Sequence, residues 1–290
     1  MVNMTGSYRN DAWPEYISGT AQQNYLTAEA GILEAAKQGY SHWYIDGSLP
    51  GEHPSDWTES RIEALCETIS RLGVKPIYHG NFKAPLGSDV RELGGAALDY
   101  IKREVDLSSA LGGAPVIVHG GGIVEPRLVI EARRLGLNAL IDNLGELVEY
   151  ARERNVEIWL ENLSNYTKFH PFYYICVNEE EYAEVLGSVP GLKLFFDVSH
   201  AHAHVNDGDP VKVFERLHQY VVGMSFSDNK GERDSHFPLG RGSLDYPGLV
   251  KAILKHEWRG LVGFETRGST LSDSLAYLNA IGNRISDKVA

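Results

Sequence analysis

Side chains that can bind a metal ion recur at the ends of short apolar runs in this chain. Six of eight such runs show the pattern, and the residues concerned are His79, His119, Glu161, Asp197, Glu265 and a run that leads to Asp228, Asp234 and His236. A mixture of carboxylate and imidazole suits zinc, manganese or cobalt better than magnesium or calcium. The sequence therefore predicts a divalent-metal site, if these run ends meet in space.

Three of the carboxylates follow strongly apolar segments, where a charge is costly to bury. Glu161 ends VEIWLE, Asp197 ends LKLFFD and Glu265 ends LVGFE. If the three met, they would repel one another, and a bound divalent cation would remove that repulsion. The alternative needs three separate salt-bridge partners, so we favour the three carboxylates as metal ligands.

Histidines supply further candidate ligands. His79 ends VKPIYH and His119 ends PVIVH. Each alone is more often a hydrogen-bonded core histidine than a ligand, but two at neighbouring strand ends support each other as ligands. Asp234 and His236 form a D-x-H pair, whose spacing lets both side chains reach one ion from an extended segment.

A further histidine cluster follows Asp197 in the string DVSHAHAH. His200 lies three residues after Asp197, and we predict that it joins the same site. We expect the alternating His202 and His204 to face solvent.

These side chains can meet only if the apolar runs are strands that end on the same side of a sheet. Eight segments of about four to six residues, rich in β-branched and aromatic residues, are predicted strands: Tyr16–Gly19, His42–Asp46, Val74–His79, Pro115–His119, Val156–Glu161, Leu192–Asp197, Val221–Phe226 and Leu261–Glu265. Between them, apolar residues at spacings of three and four predict amphipathic helices. This alternation predicts an α/β fold, a single (β/α)8 TIM barrel over residues 1–290, with active-site groups at the C-terminal ends of its strands.

A doubly wound open sheet is the main rival fold. Such a sheet would usually carry a GxGxxG turn after its first strand, and this chain has none. The glycine run Gly120–Gly122 follows a strand but lacks the dinucleotide-binding spacing, so the barrel is favoured.

Composition narrows the range of partners. The formal net charge of −12 weighs against nucleic acid, because an acidic chain repels a phosphate backbone. The two isolated cysteines, Cys66 and Cys176, fit a reducing compartment. No apolar run reaches the roughly 18–20 residues that span a bilayer, and the N-terminal residues lack a signal pattern. We therefore predict a cytoplasmic protein with a small-molecule substrate and no membrane association.

Four strings resemble motifs of the xylose-isomerase-like barrel superfamily. They are LEN at Leu160–Asn162, DVSHAHA at Asp197–Ala203, SDNKGERDSHFPLGRG at Ser227–Gly242 and FET at Phe264–Thr266. That superfamily includes sugar-phosphate isomerases and epimerases, keto-sugar 3-epimerases, inosose dehydratases and endonuclease IV. The likeness covers most of the chain from His79 onward, and its motifs are most similar to those of endonuclease IV.

The resemblance implies a set of metal ligands. Eight ligand types of the endonuclease pattern are present, at His79, His119, Glu161, Asp197, His200, Asp234, His236 and Glu265. The ninth, a histidine in both the endonuclease and the epimerases, falls on Ser225. Asp228, His236 or a water could complete the metal shell in its place.

The resemblance also implies a reaction, the isomerisation or epimerisation of a sugar, polyol or sugar phosphate. Glu161 and Glu265 would be the acid/base pair that moves the proton next to a metal-bound carbonyl. His200 would contact a substrate hydroxyl or hold a second metal ion. Arg267 could hold a substrate oxygen or phosphate, with a surface salt bridge as the alternative, and Asp228 is a further candidate substrate contact. Relatives by resemblance often form homo-oligomers.

Two other functions are weighed against this one. An endonuclease IV-like phosphodiesterase acting on abasic DNA would use the same ligand types. The acidic chain, the loop DGSLPGEHPSDW with no Lys or Arg, and Ser225 oppose it. A non-catalytic barrel that binds a small ligand is disfavoured, because clustered ionisable groups cost stability without a task.

Overall fold

The helices and strands are taken from a computed structural model that describes residues 16–18, 26–121, 123–124, 129–164, 173–203 and 209–286. In chain order they are β1 (Tyr16–Ser18), α1 (Ala28–Gln38), β2 (His42–Asp46), a 3-10 helix (Pro54–Asp56), α2 (Glu59–Leu72), β3 (Lys75–His79), α3 (Arg91–Ala110), β4 (Val116–His119), β5 (Ile123–Val124), α4 (Val129–Arg152), β6 (Ile158–Glu161), β7 (Tyr173–Tyr174), α5 (Glu179–Ser188), β8 (Lys193–Asp197), α6 (Val198–His202), α7 (Pro210–Leu217), β9 (Val221–Phe226), α8 (Tyr246–Lys255), β10 (Leu261–Phe264) and α9 (Leu271–Ser286).

Eight of the ten strands in the described ranges close into a barrel. Hydrogen bonds link them in the order β1–β2–β3–β4–β6–β8–β9–β10 and back to β1, and every neighbouring pair is parallel. The predicted (β/α)8 TIM barrel is confirmed. Each predicted strand coincides with a barrel strand to within one or two residues, and Gly19, the predicted end of the first, lies outside the described residues.

The helices begin and end at residues suited to capping. The Thr27 and Thr58 side chains accept hydrogen bonds from the first turns of α1 and α2. Both helices then end at a glycine in the left-handed conformation, Gly39 with φ 83° and Gly73 with φ 70°, which L side chains rarely adopt. Among the helices of the described ranges, none is long and apolar enough to cross a membrane.

One layer of inward-facing side chains fills the middle of the barrel. Its buried members, each from a different strand, are Tyr44, Ile77, Ile117, Trp159 and Phe195. Trp159 stacks on Phe195 with 6.0 Å between ring centroids. A Cβ at Gly223 would lie 2.6 Å from the Phe195 ring, so the ring needs a glycine there. Because strand side chains alternate between faces, the residue two positions beyond each layer member also faces the barrel axis.

A small antiparallel sheet lies at the C-terminal end of the barrel. Ile123 of β5 pairs with Tyr174 of β7, which joins the segments after β4 and β6. Gly121, in the glycine run before β5, has a φ of 63°. A Cβ there would lie 2.7 Å from the Ala84 carbonyl oxygen. This glycine therefore permits a close backbone approach, while Gly122 lies outside the described residues.

Candidate active site

The C-terminal ends of the strands bring six ionisable side chains into the barrel. Five are the last residues of their strands and one directly follows β10: Asp46, His79, His119, Glu161, Asp197 and Glu265. All six are at most 8% exposed. They form a polar layer above the apolar layer, at the end of the barrel where such folds carry active sites. The structure thus brings together the five strand ends that the sequence singled out, and it adds Asp46 to them.

Glu161 lies at the centre of this layer. Its Oε2 is 3.5 Å from Nε2 of His79 and 3.5 Å from Nε2 of His119. Its Oε1 is 3.6 Å from Nδ1 of His200. One carboxylate therefore faces imidazoles from β3, β4 and α6.

Asn162 fixes Asp197 and His200 beside Glu161. The Asn162 Oδ1 accepts from the Asp197 backbone N–H at 2.8 Å, and its Nδ2 donates to the Asp197 carbonyl at 2.9 Å. The Asp197 Oδ1 accepts from the His200 N–H at 2.6 Å at the start of α6. The His200 Nδ1 lies 2.8 Å from the Asn162 carbonyl oxygen. This positioning role was not predicted, although Asn162 belongs to the LEN string.

The loop after β9 adds Asp234 and His236 to the site. The Asp234 Oδ2 lies 2.7 Å from Nε2 of His236 and 3.5 Å from Nε2 of His200. His236 has a φ of 49°, an uncommon conformation for a residue other than glycine. The Arg267 N–H donates to the His236 carbonyl at 2.7 Å and helps to hold it. Strained residues of this kind are concentrated at functional sites.

The donor set fits a divalent cation. Two groups each bring three ligand atoms within 4.8 Å of one another: His79, His119 and Glu161, and Glu161, Asp197 and His200. Several buried site atoms lack a hydrogen-bond partner within the described ranges: His119 Nδ1, Glu161 Oε2, Asp197 Oδ2, Asp234 Oδ1 and His236 Nδ1. Unpaired buried polar atoms are uncommon in folded proteins. Carboxylate coordination to a cation would satisfy the three unpaired oxygens among them.

Protonation is unevenly distributed among the carboxyls. Burial disfavours ionised Glu161, but His119 and His79 outweigh it and hold the pKa of Glu161 well below its usual range. Burial, together with the charges of Glu161 and Asp197, raises the pKa of Glu265. Burial also raises the pKa of Asp197. Two carboxyls with opposite pKa shifts are a common arrangement in acid/base catalysis.

Asp228 and Arg267 are placed differently from the other predicted residues. The buried Asp228 carboxylate accepts from the backbone N–H groups of Asn229, Gly240 and Leu244 at 2.9, 3.0 and 3.2 Å. These bonds indicate that Asp228 holds the loop in place. They favour that role rather than the predicted contact with substrate. Arg267 is exposed, and its predicted contact with substrate stays a prediction.

Asp46 is a site residue that the sequence reading missed. Its Oδ1 lies 3.9 Å from Nδ1 of His79, on the opposite side of the ring from Glu161. The same oxygen accepts from the Ser48 backbone N–H at 2.9 Å. Asp46 therefore lies where outer partners of metal-binding histidines lie, at a distance longer than a hydrogen bond. Asp46 ends HWYID as Asp197 ends LKLFFD, so the same signal would have found it.

Two uncharged hydroxyls also face this region. Ser225 on β9 pairs with Asp197 on one side and Gly263 on the other. Its buried Oγ has no hydrogen-bond partner among the described residues, and the same is true of the Tyr44 hydroxyl. A Cβ at Gly263 would lie 2.6 Å from the Tyr44 oxygen. The side of the barrel where the resemblance implies a ligand histidine therefore carries hydroxyls.

Comparisons with known proteins agree with the barrel fold. The family model of xylose isomerase-like TIM barrels matches residues 32–281. Fructoselysine 3-epimerase from Shigella flexneri is 24% identical over 256 residues, covering 85% of this chain and 87% of that protein. A probable endonuclease 4 from Oceanobacillus iheyensis is 26% identical over 214 residues, 67% of each chain. The crystal structure of a D-tagatose 3-epimerase-like protein has a TM-score of 0.78 at 19% identity, covers 95% of this chain and 100% of that one, and supports the fold.

Proposed function

Because this chain belongs to the xylose isomerase-like TIM barrel family, we propose that it is a divalent-metal-dependent isomerase or epimerase of a sugar or polyol. The observation that carries the proposal is Glu161, buried among His79, His119 and His200 at 3.5 to 3.6 Å, with Glu265 in the same layer. The similarity to fructoselysine 3-epimerase supports a keto-sugar substrate.

The proposed ligands are carboxylates and imidazoles of the polar layer, of α6 and of the loop after β9: His79, His119, Glu161, Asp197, His200, Asp234, His236 and Glu265. Their mixture of nitrogen and oxygen donors suits zinc, manganese or cobalt. A bound divalent cation would neutralise the clustered carboxylates and polarise a substrate oxygen.

We infer that Glu161 and Glu265 exchange protons with a substrate from different sides. They stand at the ends of β6 and β10, which are separated by β8 and β9 around the barrel. In this proposal one carboxylate takes the proton from the carbon next to the substrate carbonyl, which leaves an enediolate. The other carboxyl returns a proton to that carbon from the opposite face, so the configuration inverts.

Solvent deuterium provides a direct test of the proposed proton transfer. The metal-loaded protein is incubated in deuterated water with keto sugars such as D-tagatose, D-fructose and fructoselysine, and the products are analysed by NMR. We expect inversion at a carbon next to the carbonyl, with deuterium at that carbon. If the metal-loaded protein exchanges no carbon-bound hydrogen in any keto sugar or sugar phosphate, the proposed reaction is wrong.

Glu161→Gln should abolish turnover with little effect on folding, because an amide cannot accept the proton. We expect kcat to fall about 10²- to 10⁴-fold, the usual contribution of a general acid or base. Glu63→Gln, an exposed position on α2, is the matched control and should retain full activity. Metal analysis of both proteins separates a lost proton acceptor from a lost ligand. Unchanged activity of Glu161→Gln would remove it from the mechanism.

A phosphodiesterase acting on abasic DNA is the second candidate. The eight shared ligand types and the similarity to a probable endonuclease 4 favour it, while the net charge of −12 opposes binding to DNA. Metal-dependent cleavage of a duplex with one abasic site, lost in Glu161→Gln, would replace the isomerase proposal if no keto sugar exchanges hydrogen.

A further inference from the structure

Glu104 is a fully buried carboxyl that takes no direct part in the site described above. It is 0% exposed and lies on the inner face of α3 with Ile101 and Val105. Its Oε2 has no hydrogen-bond partner within the described ranges. Burying a carboxyl in apolar surroundings costs stability. Its presence in the core therefore suggests a specific role.

The other carboxyl oxygen of Glu104 binds the turn that follows β3. The Glu104 Oε1 accepts from the Asn81 backbone N–H at 3.0 Å, two residues beyond His79. The Asn81 side chain in turn accepts from the Lys83 N–H at 3.1 Å. Without the carboxyl, the Asn81 N–H would lose its acceptor in the interior, which typically costs more than the bond itself contributes.

Two glycines let the backbone approach this carboxyl closely. Gly47 follows Asp46, and Gly80 follows His79. A Cβ at Gly47 would lie 2.9 Å from the Glu104 Oε1, and a Cβ at Gly80 would lie 2.9 Å from its Oε2. The Gly47 N–H also donates to the His79 carbonyl at 2.8 Å. The turns after β2 and β3 are therefore joined to each other and rest together on one side chain.

We propose that Glu104 is a positioning residue, whose carboxyl holds the turns after β2 and β3 and thereby sets the placement of Asp46 and His79 in the site. Small displacements of a catalytic group or ligand can reduce activity strongly, and outer partners of a ligand commonly change metal affinity. The inference rests on the proposed function for its metal-binding readout, while the backbone contact can be tested separately.

The state of the carboxyl supports the choice of variants. Burial raises the pKa of Glu104 to about 8, although the Asn81 N–H and the charge of His79 oppose the shift. Near neutral pH the group is therefore an uncharged acid, with one accepting oxygen and one hydroxyl. Glutamine has a similar shape and also presents one accepting oxygen beside a donor group, whereas leucine fills a similar volume with neither.

The experiment compares Glu104→Gln and Glu104→Leu with Asp99→Asn, an exposed position on the same helix. Three quantities are measured: cobalt affinity from the visible absorption of bound Co²⁺, the free energy of unfolding, and hydrogen exchange of the peptide that contains Gly80 and Asn81.

We expect Glu104→Leu to weaken cobalt binding at least about tenfold, as loss of an outer partner typically does, and to speed exchange in that peptide. Its stability should fall only modestly, because the leucine that removes the Asn81 acceptor also replaces a buried polar group with an apolar one. Glu104→Gln and Asp99→Asn should match the wild type in cobalt affinity and in hydrogen exchange.

Each other outcome overturns the inference or the proposed function separately. Wild-type cobalt affinity and exchange in Glu104→Leu would show that Glu104 does not position the turn. Equal impairment of Glu104→Gln would rule out the Asn81 hydrogen bond as the cause. If the wild type bound no metal, the proposed function would fail, and exchange at Gly80 and Asn81 would still decide the role of Glu104.

Discussion

Ser225 stands on β9 where the family resemblance implies a histidine. It is fully buried between Asp197 and Gly263, and its hydroxyl has no hydrogen-bond partner within the described ranges. We expect Ser225→His to add an imidazole ligand to the site. Since loss of an outer partner alone changes metal affinity about 10- to 100-fold, the added ligand should tighten cobalt binding by at least about tenfold, measured by competition with a chelator.

The larger side chain at position 225 needs its own control. Ser225→Leu adds similar volume without a donor atom, so it reports the cost of crowding at the Asp197 strand pair. A histidine variant that binds cobalt no better than the leucine variant would mean that position 225 does not face the ion. The alignment of Ser225 with the family's ligand histidine would then be wrong.

The strands show why much of the site could be predicted from the sequence. In a parallel barrel, side chains repeat with a period of two and all strands end on one side. An apolar run that ends in His119 or Glu161 therefore places that residue in the polar layer. Asp46 obeys the same rule, because it ends the predicted strand His42–Asp46 as the other site residues end theirs.

The roles of Glu104 on a helix and Asp228 in a loop could not be predicted from the sequence. Glu104 sits in IKREVDLSS, where charged neighbours suggest a solvated face, although its spacing from Ile101 and Ser108 places it on the buried side. The hydrogen bonds of Asp228 reach Gly240 and Leu244, 12 and 16 residues away. Hydrogen bonds across a loop leave no periodic pattern in the sequence. From the sequence alone, a carboxylate that holds a loop cannot be told from one that contacts substrate.

The α3 carboxyl should make stability depend on pH in a predictable direction. Burial raises the pKa of Glu104 from 4.5 to about 8, so the folded protein holds this proton more tightly than the unfolded chain. Its contribution to stability is complete below about pH 4.5. It falls by up to about 1.4 kcal/mol per pH unit as the pH rises towards 8, because the unfolded chain ionises first.

Glu104→Gln removes this titration and therefore isolates it. The free energy of unfolding of the wild type minus that of the variant should decline from about pH 5 to about pH 8 and then level off. Urea unfolding of chelator-treated proteins measures it. The charged groups that act on Glu104, mainly His79, Asp46 and Arg103, are present in both proteins and largely cancel. A difference that stays constant with pH would mean that Glu104 is ionised in the folded protein.

The barrel couples the site to the stability of the whole chain, because its ligands come from strands that close only in the folded state. Glu161 and Glu265 are far apart in sequence but share one buried layer, so an ion that binds them binds the folded protein. A metal present at about 100 times its Kd should add about 2.7 kcal/mol to the free energy of unfolding and raise Tm by roughly 5–10 °C. Calorimetry of chelator-treated protein with added Zn²⁺, Mn²⁺ or Co²⁺ measures the shift.

Two controls test whether the shift comes from the proposed site. Ca²⁺, which prefers oxygen ligands, should have a smaller effect, and His119→Ala should reduce the shift. Equal shifts with Ca²⁺ and Zn²⁺ would point to general screening of the net charge of −12 and would contradict a site built from imidazole and carboxylate donors.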